Sequence, residues 1–275
     1  MGERKRRLDV FRKAHPYCCF CGGNSPTESI DHIPAKILFT NSQLPGDKKF
    51  EFPSCYQCNH ASKQYDQIAA LLTLSTIDAH ATSSAHFQKV ASGVKNNARK
   101  AISDVVQGAT GQRHRSKQLS EAFGIPVQAS KLDGAALLSL KVLGAKIGMA
   151  HYYEDNGIPL AIEGGLWTMS LTPAALLEGG IPDFLRFGEP FEDLTSKCRE
   201  KEQIKFRSIR NKEEGLYLYQ VLIRDHMLIT SIVDKDMTRH SESQPYVIRP
   251  GFLKSLQNPA PLFSTSLSIQ LKSND

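Results

Sequence analysis

Long apolar runs are missing from this chain of 275 residues, and none approaches the roughly 20 residues that cross a bilayer. The basic start, Met1 to Arg7, is followed by no apolar stretch of signal-peptide length, and Arg6 stands where myristoylation would want a small hydroxyl residue. Secretion, membrane spanning and lipid anchoring are therefore not expected. A phosphate-binding loop is missing too, since neither Gly164-Gly165 nor Gly179-Gly180 is followed by Lys-Ser/Thr at a strand-to-helix turn. Cysteine is scarce and unevenly placed: five of the six lie between residues 18 and 58, and Cys198 stands alone. A disulfide scaffold spreads its cysteines in pairs, so this clustering points to reduced thiolates on a metal in the cytoplasm.

What is present reads as globular. Hydrophobic residues make up 40% and charged residues 23%, close to ordinary averages, which excludes a disordered or low-complexity chain. The net charge of +6 is unevenly distributed. Residues 1–117 hold 17 Lys and Arg against 9 Asp and Glu, and residues 118–275 hold 17 against 19. A polyanionic partner is drawn to the first part.

Three regions follow from composition. Residues 1–88 form a cysteine-bearing module, residues 89–117 a basic helix and linker, and residues 118–275 a second, α+β unit. Within the last, Leu137, Leu140, Leu143, Ile147 and Ala150 recur as one helical face, ending near Asn156-Gly157. The runs 204–210, 216–223 and 227–233 are rich in β-branched and aromatic residues and predict a three-stranded antiparallel meander.

The chemistry-bearing stretch is Cys18-Cys-Phe-Cys21-Gly-Gly, then Ser29-Ile-Asp31-His32-Ile-Pro34, then Cys55-Tyr-Gln-Cys58-Asn59-His60. Two C-x-x-C knuckles supply four thiolates, the set that suits tetrahedral Zn2+. With every position filled by sulfur, such a zinc has no place for a reacting water and is structural. Cys19 is out of register and reads as a free thiol, packed or exposed. Asp31 and His32 lie in an extended context and point to opposite sides of a strand.

These residues resemble the HNH endonucleases, whose ββα-metal module places an Asp-His pair on a first strand. A second strand then leads to a helix that opens with Asn or His after a C-x-x-C knuckle. Cys18, Cys21, Asp31, His32, Cys55, Cys58 and Asn59 carry the resemblance, over about residues 15–75. The strings TESIDHIPAKILF and FEFPSCYQCNHASKQYD are similar to a bacterial branch with a long C-terminal region.

The resemblance implies a structural-zinc ββα module followed by the α+β domain with its meander, and an endonuclease hydrolysing phosphodiester bonds of DNA. It makes His32 the general base, which an imidazole can be near neutral pH. It makes Asp31 and Asn59 the ligands of Mg2+ or Mn2+, hard ions that take oxygen donors. His60 is a second candidate for the helix-opening ligand. Lys63 and Asp66 share a helical face with Asn59, Lys63 to meet a phosphate and Asp66 to brace the site. Lys95, Arg99 and Lys100 would bind phosphates beside it, and the C-terminal unit would select or regulate the target. One departure stands out: Lys48 to Pro53 contains no Asn to steady the loop, so a backbone carbonyl is expected to orient the base. RNA as substrate and self-association as a homodimer stay open. The rival reading is a non-catalytic zinc-ribbon protein that binds nucleic acid.

Overall fold

The computed structural model describes residues 2–39, 50–75, 85–98, 134–171, 190–194, 203–225, 227–240 and 247–256. Arg99, Lys100 and Cys198 lie outside the described residues, as does the stretch 257–275. No helix among the described residues is long and apolar enough to cross a membrane.

Helix α1 (Glu3–Ala14) carries Glu3 in its first turn and Arg12 and Lys13 in its last, the ends where the helix dipole favours each sign. After the first cysteine knuckle, strands β1 (Ser29–His32) and β2 (Glu51–Ser54) form an antiparallel pair. Their register sets Asp31 opposite Phe52 and His32 opposite Glu51. Helix α2 (Tyr56–Ser75) follows with one residue between, and Glu28 closes its start by accepting the Tyr56 N–H at 2.7 Å. Ala61, Tyr65, Ile68, Ala69 and Leu72 recur at helical spacing and are buried. Helix α3 (Ala85–Asn97) packs on α2 and buries Val90 and Val94.

Helix α4 (Gly134–Asn156) ends where the sequence predicts, at Gly157, whose φ of 71° lets its N–H reach the Tyr153 carbonyl at 2.8 Å. Its surroundings differ from the expectation of one apolar face. Nearly every residue from Ser139 to Tyr153 is buried, because α2 covers one side and a sheet the other.

That sheet has five antiparallel strands: β3 (Gly165–Leu171), β4 (Glu192–Asp193), β5 (Ile204–Asn211), β6 (Leu216–Ile223) and β7 (Met227–Asp234), in the order β3-β7-β6-β5-β4. The predicted meander is β5-β6-β7. Strand β3 adds to its β7 side and the short β4 to its β5 side. Arg224 and Asp225 take φ of 51° and 58° in the connection from β6 to β7, the left-handed region that L residues enter at turns. The short helix α5 (Phe252–Ser255) returns the chain to the cysteine region, where the Gly251 N–H donates to the Phe20 carbonyl at 2.9 Å. One continuous apolar core holds residues from Cys18 to Leu256.

The contact between α4 and the sheet depends on missing side chains. A Cβ on Gly144 would lie 2.8 Å from Thr168 Cβ and Cγ2, and one on Gly148 would lie 3.1 Å from Ser231 Cβ. Gly144→Ala gains about 1 kcal/mol of helix propensity. The forced separation costs more, so a net loss of about 1–2 kcal/mol is expected in urea unfolding. An equal or higher midpoint would show that the helix can move away from the sheet without penalty.

Candidate functional site

The first knuckle sits in the loop after α1, where Gly22 and Gly23 take φ of 69° and 73° to turn the chain back. The second spans the end of β2 and the first turn of α2. Both knuckles meet: Cys18, Cys21, Cys55 and Cys58 are buried, and their sulfurs all lie within 4.8 Å of one another. The Phe20 N–H points at Cys18 Sγ (3.4 Å) and the Cys58 N–H at Cys55 Sγ (3.5 Å), which stabilises negative sulfur. Four converging thiols with backbone donors form a site for one tetrahedral ion, and Zn2+ fits it. Cys19 is packed, with no exposed surface, and burial pushes its thiol pKa well up, with the Asp31 charge adding to the effect.

Cys55→Ser should lower bound metal from about one ion per chain to none and unfold this corner. Metal analysis with circular dichroism checks it. A folded wild-type sample free of metal would refute the site.

No protein-family model, curated protein or solved structure matches this chain.

Asp31 and His32 diverge across the hairpin. His32 is half-buried, with Nε2 3.4 Å from Glu51 Oε1, and the same oxygen pairs with Arg7 from α1. Burial and nearby Lys36 lower the His32 pKa below 6.5, while Glu51 and Asp31 pull the other way. The imidazole is therefore neutral near pH 7 and held by a carboxylate. The cross-strand register brings Glu51 beside this nitrogen.

Asp31 turns inward. Its Oδ1 accepts the His32 N–H at 2.8 Å, and Lys146 Nζ, from α4, lies 3.0 Å from Oδ2. That close ion pair engages Oδ2, as the hydrogen bond from the His32 N–H engages Oδ1. Lys146 Nζ also donates to Asp66 Oδ2 at 2.7 Å and to Ser62 Oγ at 3.1 Å. Burial raises the Asp66 pKa to about 6, helped by Asp31 and opposed by Lys146. Burial works against the Lys146 charge, but Asp31 and Asp66 together more than offset it and hold its pKa above the ordinary value.

The remaining candidates divide. Asn59 is half-buried in the first turn of α2 and donates from Nδ2 to Ser29 Oγ at 2.9 Å, on the strand face that Asp31 shares. His60 is exposed and stacked on Tyr56, with ring centroids 5.3 Å apart. Lys63 is exposed, and so is Lys95 on α3. The structure thus assembles Asp31, Asp66 and Ser62 around a lysine, with Asn59 on the same side. Asp31 and Asn59 each carry a side-chain oxygen of the kind a hard divalent ion takes, and Lys146 Nζ lies 3.0 Å from the Asp31 one.

Glu51 and Lys146 escaped sequence reasoning. The signal for Lys146 was available: it is the one charge in the apolar run VLGAKIGMA. Glu51 becomes visible only once the strand register is known.

Proposed function

We propose that the chain is an endonuclease of the HNH type that hydrolyses phosphodiester bonds of DNA. The observation that carries this reading is His32, a half-buried imidazole with a lowered pKa, paired to Glu51 and adjacent to the inward-turned Asp31. Hydrolysis needs a base for water, and a neutral imidazole whose other partner is a carboxylate is suited to accept that proton. Glu51 fixes the ring and stabilises the imidazolium as it forms. Mg2+ or Mn2+ held by Asp31 and Asn59 would supply Lewis acidity toward the phosphoryl and leaving oxygens. Zn2+ at Cys18, Cys21, Cys55 and Cys58 is structural and ties the loop before the hairpin to the helix after it. Exposed Lys5, Arg6 and Lys13 on α1, with Lys36 and Lys63, give the surface near the hairpin its attraction for phosphates.

A second reading is favoured by the Lys146 ion pair, which would serve Asp31 equally in a non-catalytic zinc-ribbon protein that binds nucleic acid. Plasmid nicking separates the two. The wild type should nick supercoiled DNA with Mg2+ or Mn2+ and not with EDTA. His32→Ala should lower the rate by about 100-fold or more while metal content and DNA binding persist. Glu51→Gln should cause a smaller loss. Because the His32 pKa is lowered, its base form predominates at neutral pH, and the rate should fall as acid protonates it. Full cleavage by His32→Ala would refute the assigned base, and binding without cleavage in any metal would establish the second reading.

A further inference from the structure

Lys146 has no exposed surface, so it cannot touch a nucleic acid. Packing does not call for it either, since an apolar side chain of similar volume would fill the place without desolvating a charge. Its position is explained by what it meets. One ammonium stands between two carboxylates from different elements, Asp31 of β1 at 3.0 Å and Asp66 of α2 at 2.7 Å, with Ser62 at 3.1 Å. Asn59, Ser62 and Asp66 form one stripe of α2 at i, i+3 and i+7, facing the hairpin and α4. Two negative charges and one positive leave a net of one negative.

We infer that Lys146 and Asp66 together set the cation affinity of Asp31, which makes α4 a part of the candidate site. The inference rests on the reading of Asp31 as a ligand of a divalent ion. Lys146 alone would repel any cation approaching Asp31 Oδ2, because a like charge so close in a buried setting is strongly felt. Asp66 cancels that repulsion, being nearer to the ammonium than Asp31 is. The charge of Asp31 is thereby left available, while the ammonium holds its carboxylate in place. Lys146 is a positioning residue with an electrostatic effect, and the sign of that effect distinguishes it from a mere brace.

The test uses the full-length, zinc-loaded protein and Mn2+ titrations followed by the electron paramagnetic resonance of free Mn2+, with no DNA present. Asp66→Asn unmasks the ammonium and should weaken Mn2+ binding on the order of tenfold. Lys146→Met removes the repulsion and should bind Mn2+ no more weakly than the wild type. The charge-balanced double variant Lys146→Met/Asp66→Asn should return to within about threefold of the wild type, because the two changes cancel. Zinc content and circular dichroism monitor folding. If Lys146→Met does not fold, Asp66→Asn and the double variant decide the matter alone. Equal weakening in Asp66→Asn and the double variant would show a brace without electrostatic control and overturn the inference, as would unchanged binding in both. Asp31→Asn distinguishes the failures. Mn2+ binding in wild type no better than in Asp31→Asn would overturn the metal reading itself, and the inference with it.

Discussion

Helix α4 has 23 residues and almost no side that faces water, so it requires cover on two faces at once. The sheet supplies one cover, drawn in close by Gly144 and Gly148, and its Ser231 hydroxyl donates to the Gly144 carbonyl at 2.7 Å. Helix α2 supplies the other, and α2 is also the helix that carries Cys58, Asn59 and Asp66. Every feature of the candidate site is therefore referred to α4. Phe52 of the hairpin meets the His151 ring edge-on at 5.8 Å, and Lys146 reaches both carboxylates. Displacing α4 by a fraction of an ångström would move the hairpin, the helix start and the charge cluster together, as expected of a close-packed interior.

Some of this was legible in the chain. The cysteine spacing announced a metal site because four thiolates at two C-x-x-C knuckles have few other uses. The meander was legible because its strands are β-branched and close in sequence, and the end of α4 because Asn156-Gly157 is a strong stop signal. Strand β3 was not, since it joins β7 across some sixty residues, and pairing at that distance leaves no local pattern. The inward turn of Asp31 was hidden for the same reason: its partner, Lys146, comes from another element. Periodicity described Leu143 and Ile147 correctly and gave no account of the lysine between them. A lone charge in an apolar helix run is better read as a question about its counter-charge.

The hairpin and the cysteine cluster depend on each other through few atoms. The Cys19 N–H donates to the Pro53 carbonyl at 3.0 Å, joining the first knuckle to β2, and the Glu28 N–H donates to the Ser54 carbonyl at 2.9 Å. Both bonds run between the knuckle loop and the strand that leads into Cys55. A metal ion at the four sulfurs would clamp the same two segments a second time. The hairpin has only two short strands, a size that is marginal alone, and it gains its rigidity from this double attachment.

The first knuckle also touches the far end of the described chain. Gly22 and Gly23 lie against Leu160, Pro159 and Pro250, and Lys254 donates to Ser25 at 2.8 Å across 229 positions. The knuckle thus receives its cover from a segment synthesised more than 200 residues later. On the ribosome, the four cysteines are all available long before Lys254 emerges, so an ion can be captured while the knuckle is still open to solvent. Translation order therefore lets loading come before closure: a metal ion could enter an accessible loop, and the Lys254 segment would cover it afterwards.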